Sequence, residues 1–367
     1  MDRKELIQSP LLFQDNRIKR FYLGGSVMNE WRRMPKAEDS NQCEELLITS
    51  MGAISKGEAS GFGVSRTIPE QGGILLSELI QEYPDEILGR EFQKYNPNQL
   101  SVLARAGDTK VRLVMQCHPR KADAQKYFHM PMGKTEAWYI ARVREAEGEP
   151  ACVRAGFKEG VTRAQWKELI EKQDIDGMLA CLHTIEVKKG DTVLIPAGTP
   201  HCAGPNCLFV EFHECNDITV RTEKSINGMT ISEEEMFYGL PLEEALNLFD
   251  YTTYSEAEVR EKLGMRPKEK EKGGEYSLCE MIGPENNDSF GIDVLDLNGS
   301  YHFPKKPYHR VLVAVEHDVV LKSNGKEELL VQGHGALIPV CCEGVIAEGQ
   351  GSKVAIGIPF IDGKEVK

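Results

Sequence analysis

Hydrophobic and polar positions alternate with a period of two through most of this chain, a pattern that predicts half-buried β-strands. The clearest example is residues 112–118, Arg-Leu-Val-Met-Gln-Cys-His. One face of this predicted strand is mostly apolar, whereas Gln116 and His118 lie two residues apart on the opposite face. The same alternation turns Cys117 away from the polar face, so we do not count Cys117 among the candidate metal ligands.

Helix-start signals interrupt the strand pattern at three places. Thr162–Gln165, Ser232–Glu235 and Ser255–Glu258 each pair a hydroxyl residue with a Glu or Gln three positions later, which is the spacing of a helix capping box. The first signal predicts a helix that continues to about Leu182, and the third predicts a shorter helix that ends at Gly264. The chain is therefore predicted to be mainly β, with short helical segments.

A weak internal repeat indicates two similar halves. Gly190–Pro196, Gly-Asp-Thr-Val-Leu-Ile-Pro, resembles Gly333–Pro339, Gly-His-Gly-Ala-Leu-Ile-Pro. His201 stands five residues after Pro196, whereas Gly344, at the equivalent place in the second copy, has no side chain that could bind a metal. The simplest interpretation is two related β-barrels, of which the second has no equivalent ligand.

This interpretation divides the chain into three parts. We expect a catalytic, metal-binding domain with a helical insertion over residues 1–231. A helical segment and linker follow over residues 232–272, and a second, metal-free β domain covers residues 273–367. The linker itself is predicted at residues 267–274, which are charged and contain glycine.

Composition and charge limit the class of protein. The 367 residues are 41% hydrophobic and 28% charged, which indicates a packed core rather than disorder. The chain has no apolar run of about 18 residues, so no membrane-spanning helix is predicted. The charged N-terminus lacks the apolar stretch of a signal peptide, so a cytoplasmic location is expected. A net charge of −13 disfavours nucleic acid and anionic membranes as partners, although a few local Lys and Arg residues can still bind an anionic small molecule. The sequence does not indicate an oligomeric state.

The ten cysteines include no Cys-x-x-Cys pair, and Cys341 and Cys342 are adjacent in sequence. Neither arrangement is typical of a zinc ribbon or a disulfide framework. We therefore expect reduced thiols within strands.

Four potential metal ligands lie in three separate strand-like segments. Gln116 and His118 share one segment, Glu136 lies in Gly-Lys-Thr-Glu-Ala-Trp-Tyr, and His201 follows a Gly/Pro turn. Nitrogen and oxygen donors of this kind suit zinc or another divalent metal. Singly, each segment has an ordinary alternative, such as a wet edge strand or a surface histidine after a turn. Together they predict one metal ion held by a β-barrel.

The turn Gly-x5-Pro-Ala-Gly-Thr-Pro-His that ends at His201 resembles the second conserved motif of the cupins, which are small jelly-roll β-barrels with a metal at the mouth. With Gln-x-His-Pro and Gly-Lys-Thr-Glu-x-Trp-Tyr added, the pattern resembles the type I phosphomannose isomerases, most clearly over residues 100–221. This resemblance implies two cupin-type (jelly-roll) β-barrels and one Zn²⁺ per chain. The zinc ligands that it implies are Gln116, His118, Glu136 and His201.

A fourth segment extends the resemblance. Glu211, Asp217 six residues later and Arg221 four residues further match the spacing of that family's active-site strand. The resemblance implies that Arg221 lies over the substrate and that Lys134, two residues before Glu136, lines the same site. Singly, each of three residues has an ordinary alternative. Glu211 could be a solvated strand residue, Asp217 a turn former and Arg221 a surface ion-pair partner.

The resemblance implies a zinc-dependent aldose–ketose isomerase, most simply one that interconverts mannose 6-phosphate and fructose 6-phosphate through an enediolate. Glu211 and Asp217 are both candidates for the general base that moves a proton between C1 and C2. Lys134 and Arg221 would stabilise the oxyanion charge, and Arg221 could instead bind the substrate phosphate.

Departures from the family pattern keep other functions open. Tyr22-Leu-Gly-Gly stands where the family has Trp-Gly-Gly, Glu44-Glu-Leu-Leu differs from the usual Glu-Ser/Ala-Trp, and Thr-Glu-Lys follows Arg221. The alternatives are an isomerase or epimerase of another sugar, phosphorylated or not, and a cupin that binds a sugar without turnover. An iron-type cupin oxygenase is disfavoured by the glutamine ligand. Arg120 and Lys121 are further phosphate candidates, although a charged surface loop explains them more simply.

Overall fold

The computed structural model describes residues 2–53, 61–145 and 148–366 of the chain. Strands dominate these ranges, and no helix within them is long and apolar enough to cross a membrane. The α-helices are α1 (Arg3–Leu6), α2 (Ser26–Trp31), α3 (Leu76–Glu82), α4 (Pro84–Leu88), α5 (Arg90–Tyr95), α6 (Lys121–Phe128), α7 (Arg163–Lys172), α8 (Ile175–Ala180), α9 (Glu233–Phe237), α10 (Leu242–Ala245) and α11 (Glu256–Leu263). Short 3-10 helices cover Pro69–Gln71 and Leu246–Leu248. The strands are β1 (Leu11–Leu12), β2 (Arg17–Ile18), β3 (Glu44–Ile48), β4 (Val102–Thr109), β5 (Gln116–Cys117), β6 (Glu136–Val143), β7 (Cys152–Lys158), β8 (Leu182–Glu186), β9 (Thr192–Ile195), β10 (His201–Ala203), β11 (Cys207–Glu214), β12 (Val220–Arg221), β13 (Ser225–Ile226), β14 (Met229–Thr230), β15 (Thr253–Tyr254), β16 (Gly264–Met265), β17 (Lys268–Lys272), β18 (Tyr276–Ile282), β19 (Phe290–His302), β20 (Arg310–Glu316), β21 (Val319–Ser323), β22 (Lys326–Leu330), β23 (Gly335–Ile338) and β24 (Ile346–Pro359).

Three large sheets organise these strands. A seven-stranded sheet has the order β16-β9-β6-β11-β4-β3-β2, and a six-stranded sheet has the order β12-β5-β10-β7-β15 with β8 paired to β7. A nine-stranded sheet contains β1 and the strands from β17 to β24 that belong to the C-terminal part of the chain. The seven- and nine-stranded sheets are antiparallel throughout, whereas β15 runs parallel to β7 in the six-stranded sheet.

The seven-stranded sheet is the middle layer, and its two faces belong to different cores. On β6, Ala137 and Tyr139 pack with residues of the nine-stranded sheet, whereas Trp138 and Ile140 pack with residues of the six-stranded sheet. Successive side chains of a strand point to opposite faces, so a strand buried on both faces needs a nearly continuous apolar run. All eight residues of β11 are buried; its first four are apolar as this rule expects, whereas Glu211, His213 and Glu214 are buried polar exceptions toward its end.

The prediction of a mainly β fold is confirmed, but each large sheet is an open path of strands that does not close into a barrel. The two-barrel organisation and the three domain boundaries stay predictions. At the local level the repeat has a structural counterpart. Gly190 and Gly333 both adopt positive φ, at 90° and 79°, in the turns that precede β9 and β23.

Two of the three predicted helix starts are full capping boxes, at Ser232 and Ser255, and Thr162 accepts a hydrogen bond from the Gln165 backbone N–H. The helix predicted to continue to about Leu182 is two helices, because α7 ends at Lys172 and α8 (Ile175–Ala180) follows after a short break. Gln173 is the residue after α7 and has a φ of 53°, which breaks the helix. Its side chain donates to the backbone oxygens of Ile170 and Thr222 and so holds this conformation.

The predicted linker at 267–274 was also wrong for most of its length. Residues Lys268–Lys272 form β17, an exposed edge strand of the nine-stranded sheet that pairs with β18. Alternating Lys and Glu suits such an edge, because charged side chains protect its unpaired backbone groups from further strand pairing. Lys270 also reaches across to Asp293, with Nζ–Oδ2 at 2.9 Å.

Candidate metal centre and adjoining cavity

The four predicted metal ligands meet between the six- and seven-stranded sheets. Gln116 on β5 lies directly opposite His201 on β10 and, on the other side, opposite Arg221 on β12. Directly opposed residues in a sheet point to the same face. Glu136 begins β6 in the facing sheet, and His118 follows β5, so the donors approach one another from two layers.

Three of these residues form a compact, fully buried cluster. His118, Glu136 and His201 are 1%, 1% and 0% exposed. The Nε2 atoms of His118 and His201 lie 3.0 and 3.1 Å from the two carboxylate oxygens of Glu136, and the potential ligand atoms all lie within 4.8 Å of one another. Gln116 is half-buried, with its Nε2 3.3 Å from His201 Nε2.

Backbone carbonyls orient both imidazoles. His118 Nδ1 is 2.9 Å from the oxygen of Ile218, and His201 Nδ1 is 2.9 Å from the oxygen of Thr199. A carbonyl oxygen accepts only from a protonated nitrogen, so Nδ1 holds the proton in each neutral ring and Nε2 presents its lone pair to the cluster. This is the tautomer that a metal ligand requires.

Lys134 stands beside the cluster as a buried cation. Its Nζ lies 2.9 Å from a Glu136 oxygen, 3.0 Å from His118 Nε2 and 3.7 Å from a Glu211 oxygen. Burial, together with the Lys134 ammonium, lowers the pKa of His118 to about 3, so this imidazole is neutral at physiological pH. Burial favours a protonated Glu136, but the Lys134 ammonium overcomes that effect and holds the pKa of Glu136 well below the usual range.

A second charged group adjoins the first and is organised by Arg105 on β4. The Arg105 guanidinium lies 2.7 Å from Glu211 Oε1, 3.4 Å from Asp217 Oδ1 and 3.6 Å from Glu44 Oε2. Burial raises the pKa of Glu211 to about 7 although Arg105 opposes the shift. Buried His213 lies 4.0 Å from the same Glu211 oxygen, and burial lowers its pKa well below the usual range.

A cavity of about 730 Å³ opens next to both groups. Gln116, Lys134, Glu211, Asp217 and Arg221 all line it, so the structure brings every predicted catalytic residue to one space. The buried His118, Glu136 and His201 lie just behind its wall, in contact with Gln116 and Lys134.

Arg221 stands at the half-buried side of this cavity. Its Nη1 donates to the backbone oxygens of Thr219 and Glu235, at 3.2 and 3.0 Å, and its guanidinium lies 5.7 Å from the ring centre of Phe21. These contacts hold the Arg221 side chain against the cavity. The two carbonyl oxygens are uncharged, so they do not neutralise the guanidinium.

Sequence reasoning missed Arg105 and the group around Glu44. Glu44 accepts from Arg20 at 2.6 Å and from the Tyr22 hydroxyl at 2.9 Å, and all three line the cavity. The available signal was a single cation, Arg105, in the otherwise apolar and small run of residues 100–107.

The phosphate candidates Arg120 and Lys121 lie elsewhere. Arg120 pairs with Asp123 at 3.2 Å and Lys121 donates to the Tyr95 hydroxyl at 3.0 Å. Neither is among the described residues that line the cavity. Both contacts agree with the simpler interpretation of a charged surface segment.

The donor set fits a divalent metal. Two imidazoles whose Nε2 atoms present lone pairs, one carboxylate and an adjacent amide form a nitrogen and oxygen set that zinc and similar ions accept. Both Glu136 oxygens are buried, and neither accepts a hydrogen bond of good geometry. Buried carboxylate oxygens normally have such partners, so their convergence on two imidazoles indicates a metal ligand. The stacked sheets and the cluster together define a mainly β protein with a potential metal site between two of its sheets.

Several known isomerases resemble part of the chain in sequence. Mannose-6-phosphate isomerase ManA of Bacillus subtilis is 28% identical over 153 residues, which are 41% of this chain and 43% of that protein. Mannose-6-phosphate isomerase of Streptococcus mutans is 28% identical over an equally long segment with the same coverage. The matched segments thus cover less than half of each relative. None of the protein-family profiles matches the chain.

Solved structures show the same fold over nearly the whole chain. The mannose 6-phosphate isomerase of Bacillus subtilis superposes with a TM-score of 0.72 at 20% identity, over 95% of this chain and 99% of that one. The apo mannose 6-phosphate isomerase of Salmonella typhimurium gives a TM-score of 0.67 at 16% identity, over 95% and 98%. These comparisons confirm the resemblance inferred from the motifs: the chain is similar in sequence to mannose-6-phosphate isomerases over part of its length, and it has the fold of a solved one over nearly all of it.

Proposed function

We propose that this chain is a zinc-dependent aldose–ketose isomerase that interconverts mannose 6-phosphate and fructose 6-phosphate through an enediolate. The observation that supports this best is the buried cluster of His118, Glu136 and His201 beside a cavity lined by Lys134 and Glu211. Relatives named as mannose-6-phosphate isomerases support the choice of substrate. Two cupin-type barrels, one with the metal, remain part of the proposal.

His118, Glu136 and His201 would hold one Zn²⁺ per chain, with Gln116 as the fourth ligand. The Gln116 amide now places Nε2 toward His201, and a half-turn about its last bond would present the oxygen instead. Bound there, zinc would supply Lewis-acid stabilisation of the oxyanion charge that develops on the sugar.

Lys134 is expected to change partner when the site is loaded. Its ammonium lies within 3.0 Å of two proposed ligands, and a divalent cation at the same place would repel it. Glu211, 3.7 Å away, is the nearest alternative carboxylate. Lys134 would then face the cavity and could donate a hydrogen bond to a substrate oxygen.

Glu211 is the general base that we prefer over Asp217. A base works best when its pKa lies near the operating pH, and burial raises the pKa of Glu211 to about 7. Arg105, hydrogen-bonded to Glu211 at 2.7 Å, would keep the carboxylate oriented. Glu211 would take the proton from one sugar carbon and return it to the next. Arg221, on the opposite sheet, would bind substrate oxygens or the phosphate.

The test is a coupled assay of purified protein, converting mannose 6-phosphate to fructose 6-phosphate with zinc and with a chelator. We expect turnover that requires zinc. A panel of unphosphorylated and other phosphorylated aldoses, run in parallel, tests the substrate. If no sugar phosphate is converted while one tightly bound metal per chain is present, the isomerase proposal is wrong, and binding of a sugar without turnover would explain the site.

A further inference from the structure

A buried carboxylate behind the proposed metal centre, that of Glu223, holds the strand that presents Gln116. Glu223 is 1% exposed. Both of its oxygens pair with Arg112, Nη1 to Oε1 and Nη2 to Oε2 at 2.7 Å each. Its Oε1 also accepts the backbone N–H of Met115 at 2.7 Å. The carboxylate therefore links a side chain and a backbone amide that both belong to the segment leading into β5.

The neighbouring Thr222 completes the attachment. Its backbone N–H and its hydroxyl both donate to the Met115 oxygen, at 3.0 and 3.1 Å. Met115 thus has its N–H bound by Glu223 and its C=O bound by Thr222, and it directly precedes Gln116. Strands β5 and β12 have only two residues each, so their own ladder is short. The contacts of residues 222 and 223 extend this pairing beyond its backbone bonds.

We propose that Glu223 is a positioning residue of the metal centre. It would act through Met115 to keep Gln116 in register between His201 and Arg221. A charge-assisted, bidentate pair to Arg112 fixes both the distance and the plane of the carboxylate, which a neutral acceptor does less firmly.

The alternative is that Glu223 stabilises the fold without any special effect on the site. Asp108 provides the matched control. It is 0% exposed, pairs with Arg144 at 2.6 Å, and accepts the backbone N–H groups of Gly25 and Met28 at 2.8 and 3.0 Å. As at Glu223, a buried carboxylate pairs with an arginine and accepts backbone N–H groups, but at Asp108 these groups belong to Gly25 and Met28, which do not adjoin a proposed metal ligand in sequence.

The experiment compares zinc affinity in the native protein, E223Q and D108N. Each is stripped of metal, checked for folding by circular dichroism, and titrated with zinc. Positioning residues behind a metal ligand typically change affinity by about 10- to 100-fold. We expect a loss of that size in E223Q, whereas D108N should lower the melting temperature and leave the zinc affinity within about twofold of native, as a remote site should. E223Q in a Q116A background should cause little further loss, because both changes would remove the same ligand.

The outcomes separate this inference from the proposed function on which it rests. If the native protein binds zinc and E223Q binds it equally well, Glu223 has no positioning role, while the proposed metal centre stands. If the native protein binds no zinc, the proposed centre is wrong and the inference is wrong with it. Should E223Q fail to fold, R112Q replaces it, since it keeps the acceptor for the Met115 N–H. A smaller loss of zinc affinity in R112Q supports the inference, and an unchanged affinity overturns it.

Discussion

Replacing Arg105 by methionine tests the electrostatic account of the cavity. Arg105 is buried between three carboxylates, those of Glu211, Asp217 and Glu44. Glu44 keeps its ion pair with Arg20, so the loss of the cation falls mainly on the other two. Leaving a buried charge without its partner costs about 3–5 kcal/mol of unfolding free energy. We expect R105M to be destabilised by an amount in this range at neutral pH.

The destabilisation should depend on pH, with a defined sign. Burial already raises the pKa of Glu211 to about 7 against the opposing effect of Arg105, so without Arg105 this pKa is higher still. A carboxyl whose pKa is raised by folding lowers stability as the pH rises from about 4.3, its unfolded value, to its folded value. In the native protein this fall ends near pH 7. In R105M it continues, at up to about 1.4 kcal/mol per pH unit.

The assay is urea unfolding of metal-free native protein and R105M at pH 6, 7, 8 and 9. The difference in unfolding free energy should be smallest at pH 6 and should widen above pH 7. In the E211Q background, the effect of R105M should no longer widen with pH, because the titrating carboxyl is gone. A difference that is the same at every pH, or one that widens equally in E211Q, would refute the coupling between Arg105 and Glu211.

Three further predictions concern the metal and the catalytic groups. H201A should lose most of its zinc and its activity together, whereas R221A should keep its zinc and lose about 100-fold or more in turnover, as expected for an oxyanion-stabilising group. Metal analysis beside the coupled assay distinguishes the two variants. A full metal content in H201A would contradict the ligand assignment. K134M should lose turnover but bind zinc at least as tightly as the native protein, because the ammonium 3.0 Å from His118 Nε2 is gone, and zinc titration showing weaker binding would contradict this. Dialysis against a chelator should abolish turnover, and added zinc should restore it; turnover that survives complete metal removal would exclude the proposed chemistry.

The parts of the site that were predictable from the sequence are those encoded by local spacing. Gln116 and His118 are two residues apart, and Lys134 and Glu136 repeat that spacing, so alternation predicts that each pair lies together. The strand predicted over residues 112–118 was too long, because β5 contains only Gln116–Cys117 and His118 follows it, and Lys134 precedes β6. The position of His201 after a Gly/Pro turn belongs to the same class of short-range signal. The order of these segments along the chain also resembles a known set of motifs. That resemblance predicted that the segments meet at one centre.

The parts that were missed depend on contacts between distant residues. Arg105 meets Glu211 across 106 positions of sequence, and nothing in the neighbourhood of either residue names the other. Helix α7 stops at Gln173 because that side chain binds the backbone of Thr222, 49 positions away. The charged segment 268–272 forms an edge strand because its backbone pairs with β18. Local composition describes the preference of a segment, and the partner that overrides this preference is set by the tertiary fold.

The middle sheet constrains how this chain can change over evolutionary time. Because neighbouring residues of β6 and β11 face two different cores, inserting or deleting a single residue in either strand would send every later side chain into the wrong layer, unless a β-bulge absorbs the change, as the register shift between Leu208 and Phe209 shows. Trp138 would meet the C-terminal sheet, and the residues that follow Glu136 would no longer frame the metal centre. We therefore expect length variation among descendants of this chain in the turns and at bulges, while most positions of β6 and β11 change by substitution.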